Sequence, residues 1–483
     1  MKVLMKSVKS EIPMLNEFFF ARIPLFFPIK SYKRGAHILG ASGSGKTELM
    51  KVLFYDFQRR SQKHRNKTLV AVEPHGDLAK QLLRFVLNKG KNKERVIYLD
   101  PFPRQTAIDL FGEDILGADY IFTINPFDIA DRNERVVDYM TQELSSAFFE
   151  IITSQETPQM LAIIKACVNS LLRAEGANIS HLKRFMDDKE NDDLIELGMQ
   201  NPNIGQRDMI KRMKTDPKLN PTKSGIYYRL QTILGNSTFR RTTSGKSTVD
   251  LQKELNSGKV IIFNLSKGKL GSDVSSALGK LMVAFIQSIA LRRQDIPEKF
   301  RKETFCFIDE FQNFVTPSIE TIMAEARKYA LHMTLAHQVA GQGMNGEMKR
   351  IISGNTAIKI AGHNEPESLE YMSKQMQGIT AKDFQKLPPY NFFVSNNHGK
   401  VKQAKKLNTP SFLVKESPPY YMSKEELKEV FLYMIHESGY YKKIEKSDEI
   451  ENLNAPLVFP SGKNIVSEQG EKANNIYNPK FED

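Results

Sequence analysis

Hydrophobic positions along this chain follow two rhythms. In one, short unbroken apolar runs stand alone: Ala36-His37-Ile38-Leu39, Thr68-Leu69-Val70-Ala71-Val72, Arg95-Val96-Ile97-Tyr98-Leu99, Val260-Ile261-Ile262-Phe263-Asn264-Leu265, Thr304-Phe305-Cys306-Phe307-Ile308, His332-Met333-Thr334-Leu335-Ala336 and Thr356-Ala357-Ile358-Lys359-Ile360-Ala361. Runs of this length suit parallel strands buried on both faces. In the other, apolar residues recur at helical spacing, as in Glu48 to about Arg60, about Ala79 to Leu87, and Ser275 to Arg293. The alternation predicts an α/β fold: a central, mostly parallel sheet with helices on both faces and ligands at the carboxyl ends of the strands. From about Asp131 to Thr243 strand signals nearly vanish. Met160-Leu161, Ile163-Ile164, Val168 and Leu171-Leu172 keep a helical period there. That stretch predicts an inserted all-α domain with a loop-rich part around Asn201–Lys223.

These rhythms divide the chain into a lead-in at 1–35, a first sheet segment at 36–130, the helical insert at 131–245, a second sheet segment at 246–415, and a C-terminal helix and tail at 416–483. Gly399 to Leu413 reads as a short β region. From Glu445 the sequence is polar, irregular and acidic, and lacks the apolar density needed to order it.

The chemistry concentrates at the strand ends. Gly40-Ala41-Ser42-Gly43-Ser44-Gly45-Lys46-Thr47 lies between the first strand and a helix that opens with Glu48. A glycine-rich loop in that context wraps backbone N–H groups around the β-phosphate of a nucleotide. It sets Lys46 against the β/γ oxygens and the Thr47 hydroxyl on Mg²⁺. The Thr304 run ends in Asp309-Glu310, where an aspartate suits the metal's hydration shell and a glutamate can polarise attacking water. The pattern predicts ATP and Mg²⁺ as ligands, with Thr47 and Asp309 on the metal and Glu310 as base. The His332 run ends in His337-Gln338. Gln338 is the better γ-phosphate sensor, because a neutral amide bonds both phosphate and water. His75 and Asp77 resemble metal ligands but lack a third partner, and read as a loop that shapes the nucleotide site.

Composition changes the picture in one respect. The formal net charge is +13 over 483 residues. The surplus gathers in the first 70 residues, with Gln58–Lys67 the densest run. It favours a polyanionic partner, nucleic acid or an anionic membrane surface. Two cysteines, Cys167 and Cys306, in apolar surroundings exclude a disulfide or zinc framework. No transmembrane helix is evident. The Phe-rich stretch Phe18–Ile29 is too short, and Arg22, Pro24 and Pro28 interrupt it. It is expected to pack on the core or to touch a partner or membrane surface.

The order of motifs resembles a known superfamily. The phosphate loop, Glu73-Pro74-His75-Gly76-Asp77-Leu78, Tyr98-Leu99-Asp100-Pro101, Asn125-Pro126-Phe127, the helical insert, Ile308-Asp309-Glu310-Phe311-Gln312-Asn313-Phe314, and Glu325-Ala326-Arg327-Lys328-Tyr329 with Leu335-Ala336-His337-Gln338 are similar to the FtsK/HerA ring ATPases. Within these the chain looks most like the type IV secretion coupling proteins of the VirD4/TraG/TraD group. The resemblance spans about residues 15 to 415. It implies a RecA-like motor domain that assembles as a homo-hexamer and moves DNA, largely without sequence preference, through its pore. It also implies relaxosome and secretion-channel partners, and an insert facing the DNA-processing complex. The family's N-terminal membrane helices are not seen here, so the expectation is a cytoplasmic protein, peripheral at the inner membrane face. Family members supply an arginine to the neighbouring subunit's nucleotide. The nearest cations here are Arg350 and Lys359, with Arg327 third. Two other readings stay open: a soluble HerA-like translocase partnering a nuclease, and a secretion ATPase that moves protein.

Overall fold

The computed structural model describes residues 29–64, 67–86, 93–152, 157–314, 323, 325–339, 346–396, 405–408, 422–445 and 457. The Phe-rich lead-in before Ile29 lies outside them. So do the acidic tail apart from Glu445 and Leu457, and Gly399–Leu413 apart from one short strand.

Nine strands form one sheet among these residues. In chain order they are β1 (Ala36–Leu39), β2 (Lys67–Glu73), β3 (Val96–Leu99), β5 (Val260–Asn264), β6 (Glu303–Ile308), β7 (Leu331–His337), β8 (Ile358–Ala361), β9 (Asn391–Asn396) and β10 (Lys405–Asn408); β4 (Tyr120–Ile121) stands outside this sheet. Their order across it is β10-β9-β8-β1-β7-β6-β2-β5-β3. From β8 to β3 every pairing is parallel; β9 and β10 add on antiparallel. The parallel strands are buried nearly throughout, as their unbroken apolar runs require.

The chain divides into two compact units. The first takes in the described residues before 121 and Asp250–Lys442, and holds the sheet. Its helices include α1 (Lys46–His64), α2 (Asp77–Val86) and α3 (Pro103–Phe111). The second is helical and centres on Ile121–Val249. It holds α4 (Glu134–Ile152), α5 (Pro158–Leu172), α6 (Ile179–Arg184), α7 (Asp192–Met199), α8 (Ile204–Thr215), α9 (Asn220–Leu234) and α10 (Ser237–Thr243). Back in the first unit come α11 (Ser272–Leu291), α12 (Gly346–Asn355), α13 (Pro366–Ser373) and α14 (Lys424–Leu432).

Two expectations need correction. The helical unit begins at Ile121 and ends at Val249, wider than 131–245. The cause is an extended entry segment bonded to the returning chain: Ile124 N–H donates to Thr242 O at 2.8 Å, and Asn125 Nδ2 donates to Gly245 O at 2.9 Å. Asn201–Lys223 is mainly helical. Its Asn and Pro residues start helices rather than break them: Asn203 caps α8, accepting from Gln206 N–H, and Pro221 sits in the first turn of α9. Ser272–Asp295 is long and apolar enough to cross a membrane, but 83% of its most apolar window is buried inside the protein. That is the condition of a core helix, buried over most of its circumference rather than along one stripe.

Each unit carries one cysteine: Cys306 in the middle of β6 and Cys167 on α5, both buried.

Candidate nucleotide-binding site

Four adjacent strands, β1, β7, β6 and β2, bring the chemistry to one edge of the sheet. Leu39 at the end of β1 pairs with His337 at the end of β7, and Ile308 of β6 pairs with Leu335. The loop Gly40–Gly45 therefore leaves the sheet beside Gln338 and close to Asp309-Glu310. Gly40 N–H donates to His337 O at 3.2 Å and Ala41 N–H to His363 O at 3.1 Å, anchoring the loop on both sides. Gly43 and Gly45 take positive φ, +78° and +93°, which the glycine-rich sequence permits without a Cβ penalty. Ser42, just before them, is exposed, and Ser44, between them, is buried; α1 starts at Lys46, with Thr47 and Glu48 in its first turn.

Lys46 Nζ donates to Asp309 Oδ1 at 2.8 Å and also to Glu310 Oε1. All three side chains are almost wholly buried, at 6%, 3% and 4% exposure. Buried charges of opposite sign must pair or be neutralised, and this trio does the former. Glu310 sits in the left-handed region at φ +46°. Its carboxylate accepts from Gln312 Nε2 at 2.7 Å and from the Gln338 side chain. Burial alone would raise its pKa. Lys46 and the two amides outweigh that and hold it below the ordinary glutamate value. The sequence-predicted Lys46, Asp309, Glu310 and Gln338 are thus brought together. The Thr47 hydroxyl and Asp309 are hard oxygen donors of the kind Mg²⁺ takes.

Glu73, at the end of β2, belongs to a motif that the sequence marks, but the sequence gives it no role of its own. Its carboxylate accepts from the N–H groups of His75 at 2.6 Å, Gly76 at 2.5 Å and Ala79 at 3.4 Å, closing the N-terminus of α2. Burial, with the nearby Asp309 charge, pushes its pKa up to about 7 against those bonds. His75 is half exposed, and its Nε2 lies 4.0 Å from Glu310 Oε1. Its imidazole therefore borders the site, while Asp77 sits exposed at the start of α2, pairing with Lys80. Tyr390 was also missed. It precedes β9, and its N–H donates to Ser44 O at 2.8 Å.

The cations expected to act across subunits separate. Arg350 is exposed on α12. Lys359 is buried in β8, where its Nζ donates to Ser353 O at 2.7 Å and to Thr356 Oγ1 at 2.6 Å. A strand interior holds it there, so it cannot extend to a neighbour and is withdrawn from that role. Arg327 is exposed in a short turn before β7, at the sheet's opposite, amino-terminal edge.

Comparison with known proteins bears on the family and the fold. Residues 303–385 match the family described as the TraM recognition site of TraD and TraG. Among solved structures, the plasmid coupling protein TrwB in complex with the non-hydrolysable ATP analogue ADPNP is similar at TM-score 0.55 and 15% identity, covering 79% of this chain and 86% of that one. The unbound bacterial conjugative coupling protein TrwBdeltaN70 gives TM-score 0.53 at 14% identity, covering 79% and 85%. TrwB with ADP and Mg²⁺ gives 0.50 at 15%, covering 79% and 87%. At such identities the structural likeness is one of fold: a RecA-like α/β core with an all-α part. No curated protein sequence matches. The family match and the shared fold bear out the resemblance drawn from the motifs.

Proposed function

We propose that this chain is an ATPase that moves DNA as a homo-hexamer, and that it serves as the coupling protein of a conjugative type IV secretion system. One observation carries the ATPase reading. Lys46 of the phosphate loop is bonded to both Asp309 and Glu310, and Gln338 is bonded to Glu310. Their grouping supports the reading, because hydrolysis calls on each of these residue types. In this reading, the loop's N–H groups and Lys46 hold the β- and γ-phosphates. Thr47 and Asp309 hold Mg²⁺, whose charge offsets that of the phosphates. Glu310 stays ionised and accepts the proton of the attacking water, while Gln338 orients water and γ-phosphate.

The DNA part of the reading is supported by charge. At the amino-terminal edge of the sheet a groove of about 940 Å³ is lined by Lys33, Lys299, Arg301, Lys302, Arg327 and Lys328 against Glu298 and Glu303. A surface of this kind attracts phosphodiester backbones without regard to sequence. The coupling role, with relaxosome and channel partners at the inner membrane face, is supported by the family match and by the fold shared with TrwB.

The test is ATP hydrolysis with and without DNA. Wild type should hydrolyse ATP faster when DNA is added, with binding that weakens steeply as salt rises. Lys46→Ala should abolish hydrolysis. Glu310→Gln should keep nucleotide bound while turnover falls at least a hundredfold, on the order expected for loss of a general base. Parental turnover in Glu310→Gln would remove Glu310 as base; hydrolysis indifferent to DNA would favour a motor that moves protein.

A further inference from the structure

Tyr390 combines three features seldom found together. Its φ is +62°, in the left-handed region that bulky side chains rarely occupy. Its N–H donates to Ser44 O within the phosphate loop at 2.8 Å. Its ring lies directly on Gly45, where an added Cβ would come within 2.6 Å of Tyr390 Cδ1 and 3.0 Å of its Cα. Even so, the residue is 45% exposed. Strained backbone at a binding edge is a pointer to function rather than to packing.

The topology says which part of a nucleotide this ring would meet. β9 runs antiparallel to β8, so its first residues lie at the same sheet edge as the phosphate loop. Asp309, Glu310 and Gln338 stand on the β7–β6 side of β1, and Tyr390 stands on the β8–β9 side. A triphosphate whose γ-phosphate points to the carboxylates has its ribose and base directed the other way. We infer that Tyr390 is the stacking platform for the base of the bound nucleoside triphosphate. The residue is 45% exposed, and the bond to Ser44 and the contact with Gly45 fix its ring relative to the phosphate loop. Every base has a π-face, so the platform holds ATP and GTP alike. This inference rests on the nucleotide-binding reading above.

Inorganic tripolyphosphate supplies the test, because it fills a phosphate loop but has no base. In calorimetric titrations of the full chain, Tyr390→Ala should weaken ATP and GTP binding about tenfold, within the range for loss of one stacked base. It should leave tripolyphosphate affinity unchanged, and Tyr390→Phe should restore ATP binding. The chain contains no tryptophan, so Tyr390→Trp introduces a single indole. Its fluorescence should be quenched by ATP and not by tripolyphosphate. Equal losses of ATP and tripolyphosphate in Tyr390→Ala would show a prop for the loop and overturn the platform, as would unchanged ATP affinity. Wild type binding neither ligand would overturn the nucleotide reading and the platform with it. ATP binding that Lys46→Ala weakens and Tyr390→Ala does not would overturn the platform alone.

Discussion

Lys359 shows how far a residue's type can mislead when its surroundings are unknown. A lysine near a nucleotide-binding edge reads as a cation available to phosphate. In the fold it is enclosed by β8 and the end of α12, and burial pushes its pKa down from 10.5 to about 7. Unfolded chain holds this proton up to about pH 10.5, whereas folded protein releases it near 7. Stability should therefore rise with pH across that window and decline as pH falls toward 7, by at most about 1.4 kcal/mol per unit for one group. In urea denaturation from pH 7 to 10, Lys359→Met should lack this rise. Its absolute stability is a poorer guide, because the carbonyls of Ser353 and Thr356 lose their donor. An identical slope in both proteins would mean that Lys359 stays charged in the fold. Lys46 is the opposite case. Its proposed role is legible from eight consecutive residues, because a phosphate loop depends on local spacing. That of Tyr390 is not, since it meets the loop through a bond to Ser44 O that is set by sheet order.

At the scale of elements, the sequence revealed strands by their apolar runs, and β1, β2, β5, β6 and β7 all lie where such runs occur. It did not reveal β9. Asn391-Phe392-Phe393-Val394-Ser395-Asn396 is short and begins and ends in asparagine, with Pro388-Pro389 just before it. Antiparallel pairing with β8 supplies the order that the pattern lacks. Packing between elements was equally hidden. Gly279 on α11 faces Phe314, which ends the turn after Asp309-Glu310; a Cβ there would lie 2.1 Å from the Phe314 ring. Gly279→Ala should cost about 1–3 kcal/mol through overpacking. It should also lower ATP turnover, because the displaced turn carries Glu310. Adding Phe314→Leu should recover most of the melting temperature. If Gly279→Ala melts as wild type does and retains its ATPase rate, the contact is looser than the packing indicates.

For the whole molecule, the proposed ring makes hydrolysis a property of the assembly. Specific activity should rise with protein concentration as subunits associate. With Lys359 withdrawn and Arg327 at the far edge of the sheet, Arg350 is the remaining candidate for the cation that the proposed ring would share between subunits. Doping wild type with Arg350→Ala should depress activity more than in proportion to the fraction added. Activity that falls only in proportion, at all concentrations, would leave each subunit catalytically independent. The two buried cysteines bear on how such an assembly can be followed. Burial pushes the Cys306 thiol up to about 12 and raises that of Cys167 well above its ordinary value, so neither presents a reactive thiolate at neutral pH. A maleimide dye added to the native protein should therefore attach only where a new surface cysteine is placed, with no need to remove the natural pair. Under denaturant the same pair becomes informative. One thiol belongs to the sheet unit and one to the helical unit, so their separate labelling rates time the opening of each half of the molecule.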